Sequence, residues 1–251
     1  MTAFLALASA YARDQLRRGA TLVLAVIGVL LVMSLRYFSA FGLGYETVQL
    51  RELGAYSIGL TGALAVLIFC LPREDDDGAS DSLLVTRPLP PPVISAGVFF
   101  GRLIVVTALV ALWTAALCGA IAWYAVGEPM MFSYRGETSV MAECLSLAGP
   151  IAGQWMILAM LLAAAQALAR FARPLPAAMA TIALYLAGFA ATAAPPALAW
   201  MLPDFARYDL TSLLWGDMAD ASPMWLLPHM LCWTTAALAV DSAGLRLRLA
   251  A

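Results

Sequence analysis

One histidine, four cysteines and no lysine limit the chemistry open to this chain. All 14 basic residues are arginine. A phosphate-binding P-loop needs its lysine, and Schiff-base chemistry needs an amine nucleophile, so neither can be built here. If ATP drives this protein, another chain binds it. His229 alone cannot supply the His/Glu set of a hydrolytic metal site. It follows Pro228 and reads as a local hydrogen-bonding residue, with proton sensing or substrate contact as alternatives. Cys70, Cys118, Cys144 and Cys232 lie no closer than 26 residues apart and form no C-x-x-C unit. They read as small apolar packing residues, not as a disulfide or metal framework. Met130-Met131 lacks a Met-x-x-Met pattern, so copper binding has little support. No Gly-x-Ser-Gly nucleophile is present, and Trp215-Gly216-Asp217 falls outside the apolar stretches, where an intramembrane aspartyl protease would need it. The chain therefore reads as no enzyme by itself, with no catalytic residue, cofactor site or metal site. A polytopic membrane enzyme remains the lesser alternative.

What polar chemistry remains sits in or beside apolar stretches. Gln154 and Gln166 are twelve residues apart and are expected near one face of a helix. Polar groups in a membrane face the bundle interior, where these two either bond across helices or line a pathway. Asp241 is expected to pair with Arg246 or Arg248. The densest polar segment is 72–102. An acidic run, Glu74 to Asp77, is followed by Gly78. Ser80 or Asp81 can cap a short helix, and Leu83 and Leu84 project from it as paired apolar knobs. Arg87 suits its C-terminal end, and Pro88 stops it. Pro90, Pro91 and Pro92 are expected to stiffen the return as extended chain. The unit is a rigid knob that a partner can grip. The plainer alternative is a solvated, proline-stiffened loop.

These groups must be positioned by membrane helices. The 251 residues are 63% hydrophobic and 12% charged, with a mean hydropathy of +0.86, against about half apolar and a quarter charged in soluble domains. The net charge of −2 gives no basis for nucleic-acid binding. Charge-free intervals of about 17 residues or more can each cross the hydrocarbon core as a helix. They predict an all-α polytopic membrane protein in one domain, 1–251. Its six spans fall at about 19–36, 53–72, 98–126, 145–169, 175–194 and 222–243. A cytoplasmic loop is expected over 73–97. The outer segment 195–221, with Pro195, Pro196, Pro203 and Asp204, is apolar and aromatic enough to dip into the bilayer as a re-entrant segment. The alternative is an ordinary interfacial loop. Residues 2–18 read as an amphipathic interfacial helix. Phe4, Leu7 and Tyr11 form its apolar face, Arg13, Asp14, Arg17 and Arg18 its polar end, and Gly19 the turn into the first span. Ten arginines fall on the side of both termini and four on the other, which predicts cytoplasmic termini.

The order of features in 72–102 resembles the permease family of type 2 ABC transporters. Glu74 to Asp77, Gly78, Leu83-Leu84, Arg87-Pro88-Leu89 and Gly101-Arg102 match that family's pattern. Ala79 departs from its usual hydroxyl residue, and Arg102 from its usual lysine. Leu-Pro-Asp-Phe-Ala-Arg-Tyr-Asp-Leu at 202–210 is similar to the family's Pro-Asn/Asp-Phe segment before the last span. The resemblance implies a permease subunit in the bacterial inner membrane that moves or extrudes a substrate. It implies a dimer with a second permease subunit and a separate ABC ATP-binding subunit that holds ATP and Mg. It also implies coupling through Asp81, Leu83, Leu84, Arg87 and Pro88 and through the interfacial helix with Tyr11, Arg13, Arg17 and Arg18. A non-transporting scaffold or accessory subunit is the alternative within the same architecture.

Overall fold

The computed structural model describes residues 2–39, 46–70, 89–127, 139–191, 203–215 and 225–250. Among them there is no strand, and the elements in order are α1 (Thr2–Arg17), α2 (Gly19–Ser39), α3 (Glu46–Cys70), α4 (Pro91–Gly127), α5 (Val140–Ser146), α6 (Ala148–Phe171), α7 (Pro174–Ala190) and α8 (Leu226–Ala250). Two 3-10 turns, Phe205–Tyr208 and Leu210–Trp215, lie between α7 and α8. Over the described residues the protein is all-helical, with the long apolar helices of a membrane-embedded chain. Among the described residues four stretches are long and apolar enough to cross a bilayer: Gly19–Tyr37, Thr47–Cys70, Pro91–Val126 and Val140–Phe171. The helix Pro174–Ala190 is apolar but has only 17 residues. α8 is long enough, but His229, Asp241, Arg246 and the pair Thr234-Thr235 dilute its apolar run.

α4 and α6 form the centre. α4 packs against α1, α2, α3, α6 and α8, while α6 packs against α3, α4, α7 and α8. α6 is the most enclosed of the long helices and α2 the least. The outward faces of α2 (Leu22, Val26, Leu30) and α7 (Leu175, Met179, Ile182, Leu186) are exposed and apolar, as surfaces in contact with lipid are. Glycines set the closest approaches. A Cβ on Gly28 of α2 would overlap the fully buried Trp113 ring of α4, and Cβ atoms on Gly54 and Gly62 of α3 would overlap Leu117 of α4 and Leu158 of α6.

Several expected boundaries move, each for a local reason. α4 begins at Pro91, inside the expected 73–97 loop, because proline is tolerated in the first helical turn, where its missing N–H has no partner to lose. The Pro90 carbonyl accepts from Val93 N at 2.9 Å and Ile94 N at 3.2 Å. Pro91 and Pro92 thus start a helix and are not part of an extended return. At 37 residues α4 is about 55 Å long, well beyond a core of about 30 Å. α3 begins seven residues before the expected 53 and runs through Arg51 and Glu52, since Arg51 is buried against a carboxylate. The expected fourth span is two helices with a break at Leu147. Pro150 has no N–H for the Ser146 carbonyl, and its ring crowds that carbonyl. The change of direction after α1 falls at Arg18, not Gly19. Gly19 is the first residue of α2, its φ lies outside the left-handed region, and a Cβ there would meet nothing.

Candidate functional site

Two polar clusters lie at opposite ends of the bundle. The first is at the end where α3, α6 and α8 finish and α4 begins. Asp241 of α8 is fully buried. Its Oδ1 accepts from Arg170 Nε at 2.7 Å, and its Oδ2 accepts from Ser95 Oγ at 2.6 Å and Gln166 Nε2 at 2.7 Å. The second hydrogen of Gln166 Nε2 goes to the Ser95 carbonyl at 3.0 Å, and Gln166 Oε1 accepts from Arg102 Nη1 at 3.4 Å. Arg102 Nη1 also lies 3.9 Å from Cys70 Sγ. Both hydrogens of the Gln166 amide and its oxygen are engaged, and three helices, α4, α6 and α8, are joined through one carboxylate. Asp241 therefore pairs with Arg170 of α6. The expected pairing with Arg246 or Arg248 of its own helix is corrected. The buried carboxylate lies toward the bundle interior, and Arg246 is exposed.

α1 docks at this same end. A Cβ on Gly101 would come within 2.7 Å of the Ala8 carbonyl oxygen and the Tyr11 Cβ. One on Gly97 would come within 2.6 Å of Leu7. The rings of Phe4 and Phe100 meet edge to face at 5.6 Å, and Leu7 and Tyr11 cover Ile94, Val98 and Leu245. Phe4, Leu7 and Tyr11 are thus the packed face of α1, as their spacing predicts. Arg13 and Arg17 are exposed, and Arg18 pairs with Asp14 at 2.9 Å. Gly101-Arg102 gains a physical role: the glycine admits α1 and the arginine reaches Gln166.

The far end holds the second cluster. Tyr56 of α3 donates to Asp209 Oδ2 at 2.8 Å, and Thr211 Oγ1 donates to Asp209 Oδ1 at 2.7 Å. Tyr208 donates to the Leu226 carbonyl at 2.9 Å, and its oxygen lies 2.6 Å from His229 Nδ1. The hydroxyl has one proton, so with that proton on the carbonyl, Nδ1–H donates to the phenol. His229 is therefore a hydrogen-bonding residue of the chain itself. Burial pushes the Tyr208 phenol up from its ordinary value. The segment is wedged among helices. A Cβ on Gly153 of α6 would overlap the Tyr208 carbonyl oxygen, and Gly188 of α7 makes room for the Phe205 ring. Phe205 is fully buried beside Tyr185 and Phe189. Pro203 is buried, and Asp204 pairs with Arg207 at 2.6 Å. Nearby, Arg51 and Glu143 form a buried ion pair, and Arg51 Nη1 donates to Ser146 Oγ at 2.6 Å.

Gln154 and Gln166 do not act together. Twelve residues leave about 120° between them around a helix. Gln166 joins the Asp241 cluster, whereas the Gln154 side chain lies over Gly59 of α3. Asp81, Leu83, Leu84, Arg87, Pro88, Pro195 and Pro196 lie outside the described residues. Sequence reasoning missed Ser95, Arg170 and Tyr56 as partners. Arg170 and Asp241 both stand at the ends of apolar runs, which is a signal for pairing. A serine or tyrosine in a long apolar run carries no such signal. Among the described residues no group of three or more His, Cys, Asp or Glu side chains could hold a metal ion.

The fold and clusters define a class: a helical membrane protein with a buried polar knot at one end and a wedged aromatic segment at the other. No family model matches the chain, and no curated protein matches it.

Proposed function

We propose that this chain is the membrane-spanning permease subunit of an ATP-binding cassette transporter of the bacterial inner membrane. In this reading it has six spans, with α7 and α8 the fifth and sixth, and both termini are cytoplasmic. It pairs with a second permease subunit, and a separate subunit hydrolyses ATP to drive substrate movement. The 195–221 segment is the re-entrant outer element. The observation that carries the reading is the joint arrangement at one end of the bundle. α1 is seated on Gly97 and Gly101 of α4, and a few residues away Ser95, Arg102, Gln166, Arg170 and Asp241 tie α4 to α6 and α8. A push on α1, or on the chain entering α4 at Leu89-Pro90, is transmitted to several helices at once. Interiors packed at crystal-like density carry displacement rather than absorb it. The absence of lysine agrees with ATP chemistry on a partner chain, and Leu83-Leu84 is the docking point this reading requires.

The test is affinity purification of the full chain from native membranes. A P-loop ATPase is expected to co-purify, and replacing Leu83→Asp together with Leu84→Asp is expected to release it without loss of membrane insertion. Purification without an ATPase, or full retention by the double variant, would refute the reading.

A further inference from the structure

α1 has two apolar edges, and the protein covers only one of them. Phe4, Leu7 and Tyr11, the face that spacing assigns to the bilayer interface, pack on Phe100, Ile94, Val98 and Leu245. Leu5 and Leu16 are left open, 57% and 47% exposed. Eleven residues apart, they lie within about 20° of each other around the helix. Arg13 is within about 80° of both and Arg17 within about 120°, and both arginines are exposed. Asp14 is the one acidic residue of α1, and it pairs with Arg18. Among the described residues neither Arg13 nor Arg17 forms an ion pair. The place of this edge is fixed by α2. Arg18 N and Thr21 Oγ1 both donate to the Gln15 carbonyl, at 3.2 and 2.7 Å, and lock the turn between the two helices. α2 then presents Leu22, Val23 and Val26 outward along a stretch fit to cross the bilayer. The end of α1 thus lies where hydrocarbon gives way to headgroups.

We propose that the open edge of α1 binds anionic phospholipid of the leaflet around it. Leu5 and Leu16 rest on the acyl chains, and the guanidinium groups of Arg13 and Arg17 hold headgroup phosphates. Charge complementarity selects this occupant. Two uncompensated cations beside two leucines suit a negatively charged amphiphile, whereas a zwitterionic lipid carries its own countercharge. The bound lipid would press α1 onto its seat at Gly97 and Gly101 of α4, so the composition of the leaflet acts on the bundle through its first helix. The inference needs α2 to span the bilayer and does not depend on the transport reading.

The experiment is native mass spectrometry of the full chain, released from detergent containing equal amounts of phosphatidylglycerol and phosphatidylcholine with the same acyl chains. Preferential retention of phosphatidylglycerol is expected. One arginine near an anionic membrane surface is worth about fivefold in such a preference. Arg13→Gln combined with Arg17→Gln is therefore expected to reduce it roughly 25-fold. Arg13→Lys with Arg17→Lys keeps the charge and is expected to keep most of the preference. Arg173→Gln with Arg246→Gln removes the same charge elsewhere at this end and is expected to leave it nearly unchanged. Inorganic phosphate, which has no acyl chain for Leu5 and Leu16, is expected not to displace the lipid. Equal retention of the two lipids by the unchanged chain, an undiminished preference in the glutamine pair, or an equal loss in the lysine or the control pair would overturn the proposal, as would displacement by phosphate. Release of a co-purifying ATPase by the glutamine pair, with the lipid preference intact, would also overturn it and assign Arg13 and Arg17 to that partner. Absence of an ATPase from every sample would count against the transport reading alone and leave the lipid result standing.

Discussion

Replacing Asp241→Asn keeps the shape of the side chain and removes its charge. The carboxylate receives three hydrogen bonds, from Arg170, Ser95 and Gln166, at 2.6–2.7 Å. An amide can offer one oxygen to these donors. If the oxygen faces Arg170, the NH₂ meets Gln166 Nε2, donor against donor. If the amide turns over, the NH₂ meets the guanidinium. Ser95 can rotate and accept, but Gln166 cannot while it also holds the Ser95 carbonyl. Breaking a buried ion pair by removing one partner costs about 3–5 kcal/mol. Arg170 keeps 20% of its side chain exposed and can turn partly to water, which brings the cost to the bottom of that range or just below it, about 2–3 kcal/mol. For a chain of this length that corresponds to a fall of roughly 5–10 °C in the unfolding midpoint. The assay is the thermal midpoint of the detergent-solubilised chain, read as the loss of the monodisperse peak in size exclusion. Asp241→Leu combined with Arg170→Leu removes both charges and is expected to recover part of the loss, since apolar replacement of a buried pair is often neutral. A midpoint for Asp241→Asn within about 1 °C of the unchanged chain would refute the argument that the carboxylate ties α4, α6 and α8 together.

Gly153→Ala pushes a methyl group into the Tyr208 carbonyl oxygen. Both sides are backbone, so the cost is expected to reach or exceed the usual 1–3 kcal/mol of overpacking, read as faster proteolysis within 203–215. Gly101→Leu is expected to unseat α1, whereas Gly119→Leu, where nothing lies within 4 Å, is the control. Alkylation of a Leu7→Cys probe should accelerate several-fold with the first change and not with the second. Burial raises the Tyr208 phenol above its ordinary value near 10, so the stability it contributes is complete below that pH and is lost as pH rises beyond it. Tyr208→Phe is expected to remove this alkaline sensitivity while lowering the midpoint at neutral pH by about 1 kcal/mol equivalent.

The apolar elements were readable from the sequence because hydrocarbon imposes one rule on every span: long charge-free runs with satisfied backbones. The rule falters where a charge has a partner. Arg51 lies outside the expected 53–72 span, yet it is within α3, where Glu143 pairs with it. The start of α4 was misread because proline signals both an extended return and a first helical turn, and only the neighbouring packing decides between them. The apolar face of α1 was legible from Phe4, Leu7 and Tyr11 at helical spacing. Its seat was not, since Gly97 and Gly101 become meaningful only when another backbone lies on them. For the same reason Asp241 was recognised as needing a counter-charge while its actual partner, 71 residues away on α6, was not.

The seat of α1 has a consequence for how the chain is made. α1 rests on a surface of α4 that does not exist until residue 101 has left the ribosome. At about 5–20 residues per second the newborn α1 waits several seconds, through the emergence of α2 and α3, with Phe4, Leu7 and Tyr11 uncovered. During that interval the bilayer surface is the one apolar shelter within reach. α1 must therefore be a tenant of lipid before it belongs to the protein. Biogenesis becomes sensitive to anything that holds α1, such as a clinging chaperone, in a way that the finished bundle is not.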